Sequence, residues 1–246
     1  THQPCDECGS SDGLAVNEDG STKCFVCGEF TPTTNEENNQ MENTTQPTPR
    51  FIQGDFMPIP SRAIHVDVCK RYDYRIGEHN GDACHIATYR DEERNIVSQK
   101  IRLEGKDFRS IGSPACFWGQ HLWPNGGKRL TITEGEIDCL TVAQVVGEGK
   151  WPVVSLPSGA QGAKGLFQKQ MKWLEKFEEV ILMFDNDSAG NKAAEACSHV
   201  LPAGSCKIAK LTAKDPNELL VKGRSREIVD AYWQAKVWRP DTIIDG

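Results

Sequence analysis

Apolar runs of strand length alternate with longer amphipathic segments in the second half of the chain. The predicted strands are residues 130–133, 153–156, 180–184 and 207–211. The predicted helices are residues 136–146, 164–176, 189–200 and 224–234. This alternation is typical of a parallel sheet with crossover helices. The sequence therefore predicts an α/β unit over residues 129–240.

Carboxylates follow three of these strands. Glu134 comes directly after the first strand, and Asp185 and Asp187 follow the third, where strand alternation would send both to one side. Asp138 lies about one helical turn into the next helix, and Asp215 follows the fourth strand. Because ligands gather at the carboxyl ends of strands in open α/β sheets, we expect the five to converge. One or two Mg²⁺ or Mn²⁺ ions would relieve their repulsion and bind substrate phosphates. Solvated loop acids that never meet are the alternative.

Two cysteine pairs in the first 31 residues have the spacing of a zinc site. Cys5 and Cys8, then Cys24 and Cys27, follow the pattern C-x2-C, fifteen residues, C-x2-C. Four thiolates favour one structural Zn²⁺ in a closed tetrahedral site on a small antiparallel ribbon. The metal would supply most of the folding free energy of so small a unit. Two redox-active pairs are the alternative. With no secretory signal, the six remaining cysteines are expected to be reduced thiols.

Acidic charge is concentrated at the start of the chain. Residues 1–50 contain nine Asp and Glu against two Lys and Arg, which accounts for the whole net charge of −7. Residues 32–50 include a single large apolar side chain, which predicts a flexible linker. An acidic ribbon could contact DNA only through a few polar side chains, and the candidates are Asp19, Ser21 and Lys23. The sequence contains no run of 18 apolar residues, so it predicts no membrane-spanning helix.

The segment from residue 51 to residue 128 has a different pattern. We expect a short helix capped by Ser61 and then an antiparallel sheet over residues 85–111, because polar and apolar residues alternate there. The WPNGGK stretch that ends at Lys128 marks the boundary with the α/β unit. This segment would be an α+β subdomain.

Basic residues of that subdomain are candidates for binding phosphates. Lys100 and Arg102 alternate onto one face of a strand, and Lys106 and Arg109 flank the next turn. Each could equally be a solvated surface cation. The glycine-rich residues 158–165 follow a strand and precede a helix, where backbone amides could meet a phosphate. A simple loop is the alternative.

The stretches TEGEIDCLT and FDNDSAGNKAA together resemble the topoisomerase-primase (toprim) fold. With the cysteine pairs, the linker, IVSQKIR and KDPNE, the whole chain is similar to the primase half of T7-like phage primase-helicases. That family is related to DnaG-type primases and to the mitochondrial helicase Twinkle. The resemblance implies an α/β toprim domain (129–240) with an α+β N-terminal subdomain (51–128). A small zinc-ribbon β domain (1–31) and a linker (32–50) would precede them. Residues 241–246 would begin a linker to a helicase domain, and no Walker motif occurs in this sequence.

The resemblance also implies an activity: template-directed synthesis of short RNA primers on single-stranded DNA for phage DNA replication. Glu134 would be the acid/base or metal-linked catalytic residue, together with Lys100 and Lys106. The magnesium ligands would be Glu134, Asp138, Asp185, Asp187 and Asp215. Nucleotide and DNA contacts would come from Arg62, Arg102, Arg109, Gly190 and Lys192, and from Asp19, Ser21 and Lys23 on the ribbon.

The expected partners follow from the same resemblance. They are single-stranded DNA, ribonucleoside triphosphates, a replicative helicase domain in the same polypeptide and a replicative DNA polymerase. A phage-encoded protein of this kind would act in the cytoplasm of the host cell, away from the membrane.

Two positions depart from the family pattern. Ser21 stands where the family has a histidine linked to template choice, and Lys23 stands where an aromatic residue is usual. These changes leave the zinc site intact and the recognised trinucleotide open.

Two other functions also stay open: a toprim nuclease or topoisomerase, and a RecR-like recombination mediator without catalysis. The six tryptophans are expected to pack in cores rather than stack on bases, and Trp118 and Trp123 are the first candidates for an exception.

Overall fold

The computed structural model describes residues 2–4, 11, 14–16, 20–24, 30–31, 50–146 and 149–238. The chain divides into two compact units, Thr1–Thr48 and Pro49–Gly246. The first unit contains an antiparallel sheet in the order β1-β2-β3-β4. Its strands are β1 (His2–Gln3), β2 (Leu14–Val16), β3 (Thr22–Cys24) and β4 (Phe30–Thr31).

The predicted zinc site lies outside the described residues. Cys5, Cys8 and Cys27 are not described, and neither is the side chain of Cys24. Asp19 and the predicted linker up to residue 49 also lie outside them. The strands β2 and β3 do pair in the antiparallel sense, as expected for the stretch between the cysteine pairs.

The second unit begins with a five-stranded antiparallel sheet whose strands follow chain order. Two of them precede the predicted residues 85–111. Asn80 and Gly81, both with positive φ, form the turn between the second and third strands, and Asn-Gly is a strong hairpin signal that the prediction overlooked. The strands are β5 (Gly54–Asp55), β6 (Tyr74–His79), β7 (Asp82–Arg90), β8 (Ile96–Arg102) and β9 (Phe108–Gly112).

The helix that Ser61 was expected to cap starts later than predicted. Residues Pro60–Arg62 form a 3-10 turn, and the helix α1 (Val66–Tyr72) begins after His65, without a side-chain cap. Ala63 has a left-handed conformation with a φ of 53°, which interrupts any helix that started at Ser61.

A parallel sheet with crossover helices forms the rest of the unit, as predicted. Its order is β11-β10-β12-β13-β14, and the last strand is an antiparallel edge. The strands are β10 (Gly127–Thr133), β11 (Val153–Ser155), β12 (Phe177–Met183), β13 (Cys206–Ile208) and β14 (Lys236–Val237). The helices are α2 (Glu136–Val145), α3 (Ala163–Lys169), α4 (Met171–Leu174), α5 (Ser188–Ser198), α6 (Pro216–Val221) and α7 (Ser225–Trp233).

Alternating residues of β12 face two apolar layers. Ile181 and Met183 pack in one layer and Val180 and Leu182 in the other, so the central strand is buried on both faces. The first layer also includes residues of α2, α6, α7 and the antiparallel sheet. The two sheets of the second unit therefore share one core.

Trp118 connects the two sheets. Its ring is fully buried, its indole Nε1 donates to the Thr88 carbonyl at 3.0 Å, and its backbone exchanges hydrogen bonds with Ser155 on β11. Trp118 therefore packs in the core, as expected, and is not an exception that stacks on bases: the ring fixes one sheet on the other. No helix in the described part of the chain is long and apolar enough to cross a membrane.

Candidate active site

A pocket of about 570 Å³ lies where the antiparallel sheet faces the carboxyl ends of the parallel strands. One group of lining residues, the basic wall, consists of Arg62, Lys100 and Arg102. A second group, the acidic wall, consists of Glu134, Asp138, Asp185 and Asp215. The structure thus gathers four of the five predicted magnesium ligands and three of the predicted cations around one cavity.

Strand register explains the basic wall. Lys100 on β8 lies opposite Ser110 on β9, and Arg102 lies opposite Phe108, so all four side chains share one face of the sheet. Arg109 lies opposite the buried Ile101 and therefore belongs to the other face. It forms an exposed ion pair with Asp107 at 2.9 Å and does not line the pocket. The side chain of Lys106 lies outside the described residues.

Glu134 immediately follows β10, as predicted, and the glycine-rich loop packs against it. The amide of Ala160 donates to Glu134 Oε1 over a long 3.4 Å, so it points at the carboxylate, whereas the sequence suggested a phosphate partner. A Cβ on Gly159 would lie 3.5 Å from the same oxygen. The other oxygen, Oε2, is buried without a hydrogen-bond partner among the residues that the structure describes. Burying an unpaired carboxylate oxygen is costly, so this position suits a cation.

Burial and neighbouring carboxylates raise the pKa values of two acidic-wall carboxyls. Burial, followed by the charges of Asp215 and Asp185, raises the pKa of Asp138 well above its usual range. Its Oδ1 accepts a hydrogen bond from the backbone amide of Asn217 at 3.2 Å, and this hydrogen bond lowers the pKa of Asp138. Burial and the charges of Glu134 and Asp215 raise the pKa of Asp185 to about 6. These carboxyls therefore lie close enough to disfavour one another's ionisation.

Asp187 has a different position from the one that strand alternation suggested. Because β12 ends at Met183, that argument does not apply to Asp185 and Asp187. Asp187 caps α5: its Oδ1 accepts from the amides of Ala189 and Gly190, both at 3.0 Å. It does not line the pocket. The Lys214 ammonium nevertheless lies 3.8 Å from an Asp185 oxygen and 3.9 Å from an Asp187 oxygen, so the two acids are near each other.

The acidic wall fits a hard divalent cation that keeps ligands from outside the protein. Among the residues that the structure describes, no three His, Cys, Asp or Glu side chains are close enough to hold an ion by themselves. The donors are carboxylate oxygens, one of them buried and unpartnered, and their repulsion disfavours the ion-free state. Mg²⁺ suits such a site because it usually binds one or two carboxylates and retains water and substrate phosphates.

Sequence reasoning missed Glu136, which lies two residues after Glu134. It is 8% exposed, accepts a hydrogen bond from the Tyr89 hydroxyl at 2.6 Å and pairs with the Lys100 ammonium at 3.0 Å. Burial and the Glu136 charge raise the pKa of Tyr89 well above its usual range, so this hydroxyl stays a donor. Glu136 therefore fixes Lys100 in the basic wall. Only the packing of the two sheets reveals this role.

Asn217 and Lys214 were also missed, although both lie in or beside the quoted KDPNE stretch. Asn217 is 2% exposed; its side-chain amide donates to the Arg62 carbonyl and to Thr141, both at 2.9 Å. Its Oδ1 accepts from the Arg62 guanidinium at 3.3 Å. Asn217 thus connects Arg62 of the basic wall with Asp138 of the acidic wall.

The other predicted contacts lie outside the pocket. Gly190 belongs to the first turn of α5, where a Cβ would come within 2.2 Å of the Asp185 carbonyl oxygen. Its role in the structure is to let the helix start against that backbone. Lys192 is exposed on α5 and does not line the pocket. Ser21 is buried and Lys23 is exposed in the first unit.

Removing one repelling charge should stabilise the ion-free protein. Because the pKa of Asp185 is raised in the folded protein, its protonated carboxyl stabilises the fold below about pH 4. This contribution is lost as the pH rises through about 6. We expect Asp185→Asn to increase the free energy of unfolding at pH 7.5 by about 1–3 kcal/mol without divalent ions, with no gain at pH 4. Thermal unfolding with and without Mn²⁺ checks this, and the ion should stabilise the wild type more than the variant.

A matched control is Asp230→Asn, which removes the same charge from an exposed pair with Arg226. It should change stability by less than about 0.5 kcal/mol at either pH. An Asp185→Asn variant no more stable than the wild type at pH 7.5 would contradict the crowding of charge in the pocket.

Two sequence profiles match the second unit. One, described as the bacteriophage T7 DNA helicase/primase N-terminal a+b fold, matches residues 54–112. The other, described as Toprim-like, matches residues 131–220. The first match spans the antiparallel sheet, and the second extends from β10 into α6. An α/β toprim domain with an α+β N-terminal subdomain is therefore the fold of this unit.

Individual proteins are similar over most or all of the chain. A DNA helicase/primase of Enterobacteria phage T3 is 38% identical over 259 residues, which cover 100% of this chain and 45% of the relative. This chain thus spans less than half of that protein's length. The crystal structure of the primase fragment of the bacteriophage T7 primase-helicase has a TM-score of 0.72 and 39% identity, covering 95% of this chain and 99% of that one.

A further structure contains the bacteriophage T7 lagging-strand DNA polymerase with primase domains of two gp4 subunits bound to an RNA/DNA hybrid and dTTP. The matching chain has a TM-score of 0.72 and 43% identity, and the match covers 75% of this chain and 94% of that one.

Proposed function

Because this chain belongs to the T7-like family of phage helicase/primases, we propose that it is a DNA primase that makes short RNA primers on single-stranded DNA. The observation that supports this activity most directly is the pocket with one basic and one acidic wall at the strand ends of a toprim sheet. Such a site suits a triphosphate, whose negative charge needs both cationic side chains and a divalent ion.

The proposed reaction joins two ribonucleotides. A 3′-hydroxyl oxygen attacks the α-phosphorus of a ribonucleoside triphosphate, the bond to the β-phosphate oxygen breaks, and pyrophosphate leaves. One or two Mg²⁺ or Mn²⁺ ions, held by Glu134, Asp138, Asp185 and Asp215 with Asp187 beside them, would supply neutralisation of the phosphate charge.

The side chains of the two walls have separate roles in this proposal. Arg62, Lys100 and Arg102 bind the phosphates, and Glu136 keeps Lys100 directed into the pocket. Glu134, which lines the pocket directly after β10, accepts the proton of the attacking hydroxyl. Asn217 keeps Arg62 and Asp138 in register across the pocket.

We propose a separate role for the first unit. Cys5, Cys8, Cys24 and Cys27 bind one structural Zn²⁺. Asp19 and Lys23 read the template, whereas Ser21 is buried. The support is the cysteine spacing and the antiparallel pairing of β2 with β3. Chelation of zinc should abolish template-directed synthesis and leave the unfolding of residues 51–240 unchanged.

Partners and place of action complete the proposal. A helicase domain in the same polypeptide is supported by the T3 relative, which is named a helicase/primase. A replicative DNA polymerase is supported by the T7 structure in which polymerase and primase domains occur together. The primase would act with these partners on single-stranded DNA in the cytoplasm of the host cell.

Template-directed synthesis is the test. Labelled ATP and CTP, Mg²⁺ and single-stranded DNAs of varied trinucleotide content should yield di- to tetranucleotides only with template and ion. DNA cleavage without synthesis would contradict the proposal in favour of a nuclease. DNA binding without synthesis would do so in favour of a recombination mediator.

A further inference from the structure

Phe108 is an exposed aromatic residue within the basic wall of the pocket. It begins the edge strand β9, is 47% exposed and lines the pocket. The other large apolar side chains of the described residues that are similarly exposed, Met57, Val221, Trp233 and Val237, do not line it. An exposed ring at this position therefore has no explanation in core packing.

Two cations flank the ring. The Lys100 ammonium lies 5.0 Å and the Arg102 guanidinium carbon 5.8 Å from the ring centroid, both within the range of cation–π attraction. Register explains the geometry, because Arg102 is the direct cross-strand partner of Phe108. Lys100 is in turn held by Glu136. The ring thus lies beside two side chains that the proposed function assigns to phosphates.

The other aromatic groups of the described pocket lining are less suited to stacking. Tyr74 is 3% exposed, and its hydroxyl is within 3.2 Å of His85 Nδ1. Burial and the neighbouring Arg102 lower the pKa of His85, and its ring packs edge-on against Tyr74. Trp118, the candidate from sequence, is fully buried. Phe108 therefore offers the accessible aromatic face.

We propose that Phe108 is a stacking platform for the base of a nucleotide whose phosphates pair with Lys100 and Arg102. Sites for single-stranded nucleic acid combine aromatic rings that stack on bases with cations that follow the backbone. The inference rests on the proposed primase function. The base belongs either to the incoming ribonucleotide or to the template, and both offer the same flat π surface.

The test compares Phe108→Ala with wild type in two assays. One measures the KM for ATP at saturating template, and the other measures the Kd for a single-stranded DNA by fluorescence anisotropy without nucleotide. Loss of one stacked base should raise the affected constant about 5- to 100-fold. A rise in KM alone assigns the base to the incoming nucleotide, and a rise in Kd alone assigns it to the template. Phe108→Trp should keep both constants near the wild-type values.

Val237→Ala is the matched control, because it shortens an exposed apolar side chain on the edge strand β14 of the other sheet. It should change neither constant. A second readout is the fluorescence of Phe108→Trp minus that of the wild type, which should be quenched by ATP or by the oligonucleotide.

The inference is overturned if Phe108→Ala keeps both the KM for ATP and the Kd for DNA within twofold of wild type. It is also overturned if neither ATP nor the oligonucleotide quenches the fluorescence of Phe108→Trp. Either result, found while wild-type protein still makes primers, leaves the proposed function standing. Absence of synthesis by the wild type is the separate result that would reject the primase function itself.

Discussion

Replacing Glu134 with glutamine is expected to lower template-directed dinucleotide synthesis by about 10²- to 10⁴-fold, the range for loss of a positioned proton acceptor. The side chain keeps its size, and its amide oxygen can still accept from Ala160. What the variant loses is the negative charge of a residue that lines the pocket. Synthesis is measured with labelled ATP and CTP, and the fold by thermal unfolding.

Stability should not fall with activity in this variant. Glu134 contributes to the repulsion that raises the pKa of Asp185, so its neutralisation should leave the unfolding temperature unchanged or higher. The control is Glu175→Gln, which removes the same charge from an exposed position at the end of α4. Equal activities for wild type and Glu134→Gln, or equal losses in both variants, would show that this carboxylate has no special role.

Gly190→Ala is expected to damage both stability and activity. The added Cβ would lie 2.2 Å from the Asp185 carbonyl oxygen and 3.0 Å from its carbon, distances that require the backbone to move. We expect a loss of about 1–3 kcal/mol in the free energy of unfolding. We also expect a loss of about 10²-fold in synthesis, because displaced catalytic groups cost about that much.

The matched control for stability is Gly165→Ala in α3. There a Cβ would meet nothing within 4 Å, and alanine is favoured over glycine in helices by about 1 kcal/mol. Its unfolding temperature should rise slightly. A Gly190→Ala variant that unfolds at or above the wild-type temperature would contradict the close approach of α5 to Asp185.

The α/β class was predictable because its signal is periodic. β12 is buried on both faces in its second half, which is therefore an apolar run, and three of the helices were found near their true positions. Short elements gave too few residues for a period: α6 has six residues and β14 has two. The predicted helix over residues 164–176 is interrupted at Gln170, which separates α3 from α4.

The site was predictable where it depends on strand ends. Glu134, Asp138 and Asp215 line one pocket because β10 and β13 end at the same edge of the sheet. Residues whose roles depend on contacts across the pocket were not predictable. Glu136 contacts Lys100, which is 36 positions away, and Asn217 contacts Arg62, which is 155 positions away. Nothing in the local pattern of either residue indicates its partner.

The acidic wall is proposed to hold a divalent ion at which nucleotide phosphates bind. Anomalous scattering from crystals grown with Mn²⁺ and a non-hydrolysable ribonucleoside triphosphate tests it most directly. We expect a manganese peak beside Glu134 and Asp185 in the presence of the triphosphate, and its loss in Asp185→Asn. A bound triphosphate with no manganese at these carboxylates would contradict it.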